Sequence, residues 1–325
     1  GTVTGVQTCA LPILAYKDKV SISGVGFDIA CGNLAIRTDA TEAEIKPRID
    51  VIMDDIVQNI SFGIGQTNRH PVEHELFDDP TWGIRAVGHL KSMARDQLGT
   101  VGSGNHYVDV FADENGVVWV GVHFGSRGLG FKSATHFLEL AGGKEGMDVP
   151  PTVVPLASSI GEDYLAAMKL AGRYAYAGRE YVARFVVREI LGANIREEVH
   201  NHHNFAWLEE HNGQPYWVVR KGATPAFPGQ KGFVGGSMGD DAVIIEGVDS
   251  PASRAALFST IHGAGRVMSR TAAKGKHGKP GLVRREEMMQ WLRRKGVVLR
   301  GGDLDEAPQA YRRLTDVLAA HAGTM

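Results

Sequence analysis

Gly24-Val-Gly-Phe-Asp-Ile-Ala-Cys-Gly-Asn33 is the most informative stretch of this 325-residue chain. It places the Asp28 carboxylate three residues before the Cys31 thiol, in a glycine-rich turn where backbone and side chains can approach closely. A thiolate and a carboxylate at this spacing can face one metal ion or a pair of ions. The same pattern is also typical of a buried structural cysteine beside a turn aspartate, so the turn alone leaves both interpretations open.

The composition is that of a globular protein with a large core, since 43% of the residues are hydrophobic and 22% are charged. The apolar runs are far shorter than the roughly 20 residues of a membrane helix, so we expect no membrane partner. Two cysteines argue against a disulfide-stapled secreted fold and favour a cytoplasmic protein. The 41 glycines exceed the usual share of about 7% and suggest loops that approach phosphates or metals.

The two ends of the chain look unlike the rest. Residues 1–14 lack periodicity and resemble translated sequencing-adapter sequence, so we expect a non-native segment there and exclude Cys9 from the chemistry. The segment also lacks the basic start and long apolar core of a signal peptide. We expect one domain over residues 15–325, cut after a terminal helix and missing a C-terminal strand.

Local patterns predict interleaved strands and helices. The predicted strands cover residues 20–37 (interrupted by the turn), 117–123, 216–220 and 242–246. The predicted helices cover 41–59, 163–191, a segment that begins at Pro251 and runs toward His262, and 306–321. Because the order is irregular and no repeat is present, the sequence predicts an α+β single domain with mixed β-sheets surrounded by helices.

Four histidines lie in short segments that contain glycine or asparagine: His106, His123, His203 and His262. Any one of them alone is more often a hydrogen-bonded structural residue than a functional one. With Asp28 they would complete a ligand set around the cysteine that is large enough for two metals, although spacing does not show that they converge. Thiolate and imidazole favour zinc and the carboxylate also admits manganese, so ligand chemistry alone predicts zinc.

His262 differs from the other histidines because Gly-Ala-Gly follows it and Arg266 and Arg270 lie close behind. A neutral imidazole beside such cations could attack phosphorus and form a phosphoramidate, or could instead be a metal ligand or a general acid. Residues 221–226 and 235–239 also offer cations, hydroxyls or backbone N–H groups to an anion. Neither segment matches a Walker P-loop, and each could be a plain turn.

The net charge is −2, yet residues 262–300 contain 11 Lys or Arg against two acids, Glu286 and Glu287. Such a basic strip can hold a polyanion. A solvated helix face explains the pattern about as well.

The segments GVGFDIACGN, GSGNHYVDV, VHFGSRGLG, HHN, KGATPAFPGQ, GGSMG, HGAGR and DEAPQAY follow the order seen in RtcB-type RNA ligases. From about Ala15 to its end, the chain resembles that family. The resemblance implies an enzyme of tRNA splicing or RNA repair that joins RNA 3′-phosphate or 2′,3′-cyclic phosphate ends to 5′-hydroxyl ends. It also implies GTP and two Mn²⁺ ions as cofactors and RNA, as tRNA halves or broken ends, as partner. The sequence does not identify an activating protein.

The resemblance also implies roles for individual residues. His262 would be the nucleophile that takes GMP. Cys31 would bridge the two ions, with Asp28 and His106 on one and His123 and His203 on the other. The guanylate-binding residues would be Asn105, His106, Tyr107, Val108, Asp109, His203, Asn204, Gly235, Gly236, Ser237, Met238, Gly263, Ala264 and Gly265. Arg127 and the basic strip would hold the RNA backbone.

The chain departs from the family pattern in four places. Asp109 stands where a glutamate is usual, and Ala242 stands where a nucleotide-binding serine is common. The N-terminal Pro-Asp-x-His-x-Gly motif and a C-terminal strand with a guanine-contacting lysine are not found, as expected of a fragment. A two-metal phosphoesterase and an inactive RNA-binding paralogue are the alternatives. The intact segments at His262 and at 235–239 favour a ligase, because hydrolysis needs neither.

Overall fold

The computed structural model describes residues 13–144, 149–276 and 278–325. Residues 1–12, which include Cys9 and most of the expected non-native segment, lie outside the described residues. Ile13 and Leu14, the last two residues of that segment, belong to a strand that pairs with Arg220 and Val219.

The strands are β1 Ile13–Tyr16, β2 Lys19–Ser21, β3 Gly32–Thr41, β4 Tyr107–Ala112, β5 Val117–Phe124, β6 Val153–Pro155, β7 Ile195–His202, β8 Asn204–His211, β9 Gln214–Lys221, β10 Thr224–Pro225, β11 Lys231–Val234, β12 Val243–Glu246, β13 Ser259–Thr260, β14 Gly275–Lys276 and β15 Lys279–Pro280. The α-helices are α1 Ile22–Val25, α2 Glu42–Ile45, α3 Ile49–Asn59, α4 Arg85–Gly88, α5 Lys91–Gln97, α6 Arg127–Leu140, α7 Ser159–Phe185, α8 Pro251–Ala255, α9 Arg270–Lys274, α10 Arg285–Lys295 and α11 Leu314–His321.

An antiparallel four-stranded sheet in the order β4-β5-β3-β7 positions the candidate site. At its site end, Gly32 of β3 pairs with Phe124 of β5 on one side and with His202 of β7 on the other. Tyr107 of β4 lies opposite His123 of β5. The register therefore brings the ends of four motif-bearing strands together at one end of the sheet.

Two large apolar clusters hold this sheet in place. One contains Leu34 and Ile36 of β3, Val120 and Val122 of β5, and residues of α3 and the end of α7 such as Ile52. The other joins α6 and α7 to the turn before β3 and to the sheet β1-β9-β8. Burial of these side chains at about 25 cal/mol per Å² is the main force that fixes the strands.

The α+β single domain expected from the sequence is confirmed, and most of its elements are where the patterns predict them. The capping box that joins Thr41 and Glu44 is present. The predicted helix over 41–59 is divided by a 3₁₀ turn, Lys46–Arg48, which contains Pro47. The predicted helix over 163–191 is α7, continued by a π-helical turn at Val186–Leu191.

Two predicted helices are wrong in extent. The helix that begins at Pro251 ends at Ala255, and the apolar stretch before His262 contains strand β13. The terminal helix begins at Leu314 rather than at Glu306. Two 3₁₀ turns, Leu304–Glu306 and Pro308–Ala310, stand at the start of that range. Residues 310–312 then pair with the segment after His262: the Arg312 N–H donates to the Gly265 carbonyl at 2.9 Å, so tertiary hydrogen bonds replace helical ones there.

No helix in the described ranges has both the length and the apolar character needed to cross a membrane.

Candidate metal centre

Five side chains from separate parts of the sequence converge at the end of the central sheet. They form two triads that share the Cys31 sulfur: Asp28, Cys31 and His106 in one, and Cys31, His123 and His203 in the other. The sulfur lies 3.1 Å from His123 Nε2 and 3.6 Å from His106 Nε2. His106 Nε2 lies 3.0 Å from Asp28 Oδ2. Within each triad the ligand atoms lie within 4.8 Å of one another, which is the scale of a metal coordination shell.

Strand register explains the convergence of the second triad. Gly32, the residue after Cys31, pairs with Phe124 on one side and with His202 on the other. These two partners are the sequence neighbours of His123 and His203. The His203 N–H also donates to the Cys31 carbonyl at 2.9 Å. The backbone therefore fixes three ligands before any ion binds, which lowers the ordering cost of binding.

The first triad depends on a tight turn. Backbone bonds from the Cys31 N–H to the Asp28 carbonyl and from the Ala30 N–H to the Asn204 carbonyl close it. Gly125 faces the carboxylate so closely that a Cβ atom there would lie 2.1 Å from Asp28 Oδ1. Glycine is therefore required at 125 for close approach.

The imidazole orientations fit a cation. His106 Nδ1 lies 3.1 Å from the Val101 carbonyl, so a neutral ring that donates there presents its Nε2 lone pair to Asp28. Two acceptors in such contact need a positive charge between them. His203 Nδ1 is buried and has no hydrogen-bond partner among the described residues, which also fits a nitrogen that awaits a ligand. Sulfur, imidazole and carboxylate donors admit both zinc and manganese.

The electrostatics favour neutral imidazoles. Burial lowers the pKa values of His123 and His203 well below the usual value, and the neighbouring histidines lower them further. Burial and the Asp28 carboxylate raise the pKa of the Cys31 thiol. Burial works to raise the pKa of Asp28, but contacts with His106, Cys31 and Arg127 lower it overall. A divalent cation would favour the thiolate and complete the charge balance.

Arg179 is a residue that the sequence reasoning missed. It is fully buried, and its guanidinium donates to the Ala30 carbonyl at 2.9 Å and to the Phe124 carbonyl at 2.6 Å. Burial lowers its pKa to about 10, with its charge directed at the backbone behind Cys31. The available signal was an arginine on the apolar face of a long predicted helix, where charge is rarely buried without a partner.

His262 lies beside the second triad, with its ring centroid 4.7 Å from that of His203. Burial lowers its pKa, while a hydrogen bond to the Gly222 main chain acts in the opposite direction. Gly222 has a φ of +69°, and a Cβ atom there would lie 3.1 Å from the imidazole. A parallel bridge between Gly235 and Gly263 sets the 235–239 segment against the residues that follow His262.

Hydrogen bonds within the chain hold several of the other predicted guanylate-binding residues. The Asn204 side chain donates to the Asp28 carbonyl at 3.2 Å and accepts from the Gly222 N–H at 2.7 Å. It therefore joins the turn at Asp28–Cys31, here called the metal turn, to the turn at Gly222 that lies beside His262. Asn105 accepts from Arg270 at 3.5 Å. The Met238 carbonyl accepts from Trp291 at 3.0 Å. Gly236, Ser237, Ala264 and Gly265 lie within two residues of the bridged pair Gly235 and Gly263, and the Gly265 carbonyl accepts from the Arg312 N–H at 2.9 Å.

Strand β4 separates its predicted site residues onto two faces. A Cβ atom on Gly235 would lie 2.2 Å from the Tyr107 hydroxyl, which places that ring at the site. Burial raises the pKa of Asp109 to about 7. The Val108 side chain is not brought to the site, because it packs among the core residues on the opposite face.

The basic strip is less free than its sequence suggests. Arg266 and Arg270 form ion pairs with Glu306 at 3.4 and 2.6 Å, and Lys274 pairs with Asp303. Arg300 pairs with Asp50 and Asp54. Among the described residues, Arg293 and Arg294 of α10 form no such ion pair with an acid. Both side chains are exposed.

The family model described as tRNA-splicing ligase RtcB matches residues 83–324. A tRNA-splicing ligase RtcB of Archaeoglobus fulgidus is 33% identical, with 92% of this chain and 77% of the relative aligned. The protein of the same name from Thermococcus kodakarensis is 31% identical, with 94% and 78% aligned. The RNA-splicing ligase RtcB of Escherichia coli is 29% identical, with 95% and 81% aligned.

Proposed function

The chain belongs to the RtcB family, and on that premise we propose that it is a GTP-dependent RNA ligase. Its substrates are RNA ends with a 3′-phosphate or 2′,3′-cyclic phosphate and RNA ends with a 5′-hydroxyl. Two Mn²⁺ ions are its metals, and tRNA splicing or RNA repair is its setting. A cytoplasmic location stays a prediction from the low cysteine count.

The observation that carries this proposal is the position of His262. A partly buried imidazole with a lowered pKa lies 4.7 Å, centroid to centroid, from a member of the shared-cysteine cluster. Two bound divalent cations would supply Lewis-acid stabilisation of phosphate charge at that cluster. Asp28 and Cys31 are the donors of the set that carry negative charge when ionised, and the histidines are the neutral ones.

The hydrogen bond between His262 and Gly222 supports the role of this histidine as the nucleophile. A ring N–H that bonds to the Gly222 carbonyl leaves the other nitrogen with its lone pair. That nitrogen attacks the α-phosphorus of GTP, a phosphorus–nitrogen bond forms, and pyrophosphate leaves with the electrons of the broken P–O bond. A cyclic end is first opened by water, which adds at phosphorus while the bond to the 2′-oxygen breaks, and a 3′-phosphate results. The RNA 3′-phosphate then takes the guanylate from His262, and attack by the 5′-hydroxyl releases GMP.

A covalent-labelling experiment tests the proposal. The chain is incubated with Mn²⁺ and GTP labelled at the α-phosphate, and an acid-labile, base-stable adduct is expected. His262→Ala abolishes the adduct, whereas His70→Ala, a change at an exposed histidine, retains it. A wild-type chain without adduct, or an adduct that survives His262→Ala, refutes the ligase. RNA phosphate hydrolysis without adduct would indicate the phosphoesterase, and RNA binding alone would indicate the inactive paralogue.

A further inference from the structure

An aromatic pair stands at the rim of the metal centre. Phe27 immediately precedes Asp28, and its ring centroid lies 5.5 Å from that of Phe131 with an interplanar angle of 39°. Phe131 is 57% exposed, although a phenylalanine ring gains free energy on leaving water. Phe27 packs in part against the core, so the pair presents a fixed inner ring and an open outer ring.

The pair is anchored to the site through short contacts. The Ser126 hydroxyl donates to the Ile29 carbonyl at 2.6 Å, which holds the metal turn against the start of α6. Phe131 follows Arg127 by four residues, but Arg127 has a φ of +54°, so its side chain does not project as that of a helical residue does. The Arg127 guanidinium reaches the other way, to 3.4 Å from His106 Nδ1.

Positive charge flanks the two rings. Lys132 is exposed beside Phe131. On the other side, Lys221 is also exposed, and its Nζ lies 3.4 Å from the Ser23 carbonyl. A Cβ atom on Gly26 would lie 3.0 Å from the Lys221 side chain, which places that stem against the residue before Phe27. Exposed aromatic rings between cations are the arrangement with which proteins bind single-stranded nucleic acid.

We propose that Phe27 and Phe131 form a stacking platform for the terminal base of the RNA strand that ends in phosphate. The inference rests on the proposed function and names a subsite for one of its two RNA ends. The phosphate-ended strand is the occupant because Arg127 places a cation beside the cluster, and the other strand ends in a neutral hydroxyl. About one third of the Asp28 side chain is exposed, so the cluster opens toward this rim.

Binding of short single-stranded RNA to the full chain tests the platform. The probe is a labelled oligonucleotide with a 3′-phosphate, followed by fluorescence anisotropy. Phe131→Ala is expected to weaken binding about ten-fold, in keeping with the loss of one base–aromatic stack. Phe131→Trp restores it, which separates stacking from folding. Leu140→Ala is the matched control, because Leu140 is 55% exposed on the same helix at its far end.

A base-deleted probe makes the test specific. Removal of the terminal base should weaken wild-type binding about as much as Phe131→Ala does, and the two changes together should add little. Equal affinity of the Phe131→Ala and wild-type proteins for the intact probe overturns the platform. So does a result in which Phe131→Ala weakens binding of the base-deleted probe as much as it weakens binding of the intact probe. The platform is also overturned if Phe131→Ala weakens binding equally for an RNA strand that has a 5′-hydroxyl and no terminal phosphate. If the wild-type chain forms no guanylate adduct but Phe131→Ala weakens RNA binding as expected, the proposed function is wrong and the platform stands.

Discussion

Cys31 is the residue that both triads of the candidate metal centre share, with its sulfur near His106 on one side and His123 on the other. Its position is set by backbone bonds rather than by its own side chain, since its N–H and C=O are bound to Asp28 and His203. The thiol is therefore buried at a fixed point between the two groups of ligands. Loss of this one atom should affect both ions.

Two substitutions compare the shared ligand with an unshared one. Cys31→Ala is expected to reduce bound manganese from about two ions per chain to nearly none, because each triad loses its thiolate. Asp28→Ala removes a ligand from one triad and is expected to leave about one ion. Inductively coupled plasma mass spectrometry after dialysis against Mn²⁺ measures the stoichiometry.

Cys9→Ala is the cysteine control for that experiment, because Cys9 is excluded from the chemistry and both ions should remain. Retention of two ions by Cys31→Ala would contradict the shared site. A single tightly held zinc ion in the wild-type chain would contradict the assignment of manganese. It would instead support zinc, the metal that ligand chemistry alone predicts.

Strand β3 is the element on which the site depends. Its start carries the metal turn, and its two edges carry β5 and β7 with their histidines. At Gly32 the neighbouring strand is so close that a Cβ atom would lie 2.3 Å from the Asn201 carbonyl oxygen. A larger residue at position 32 would therefore push β7 away from β3. The glycine in this way sets the distance between Cys31 and His203.

Gly32→Ala should therefore separate the two strands. We expect a loss of at least about 3 kcal/mol in the free energy of unfolding, since the clash is with main chain rather than with a flexible side chain. Urea unfolding followed by circular dichroism measures it. Gly83→Ala is the control, because a Cβ atom there meets nothing within 4 Å, and it should change stability by no more than about 0.5 kcal/mol. Equal stability of both variants would show that β3 and β7 can part without cost.

For the whole molecule, the arrangement of charge decides where a polyanion can lie. Arg266, Arg270, Lys274 and Arg300 are paired with acids of the chain, and those pairs reduce the field that the sequence suggests. The exposed cations of α10 retain their charge toward solvent. The RNA backbone is therefore expected to use α10 more than the start of the strip.

The double variant Arg293→Gln/Arg294→Gln tests this distribution. If each arginine contacts one phosphate of single-stranded RNA, the slope of log affinity against log salt should become shallower by about 1.4. Fluorescence anisotropy over a salt series gives the slope. Arg254→Gln, which removes a cation already paired with Asp249 at 2.6 Å, should leave the slope unchanged. An unchanged slope in the double variant would place the RNA elsewhere.

Sequence by itself determined the features that depend on neighbouring residues. The capping box at Thr41, the long helix α7, the strand before Phe124 and the α+β class follow from local hydrogen bonds and periodicity. The resemblance also names all the residues of the two triads, because motif order survives without coordinates. What local pattern could not give is the distance between segments such as Asp28 and His106, which are 78 residues apart.

Only the tertiary structure decided which groups face one another. It buried Arg179 behind Cys31, turned Val108 away from the site and bound residues 310–312 to the segment after His262 instead of extending a helix. It also paired Arg266, Arg270, Lys274 and Arg300 of the basic strip with acids and left Phe131 open at the rim. The physical reason is that strand register, burial and ion pairing depend on contacts between distant segments, and these form only when the chain packs.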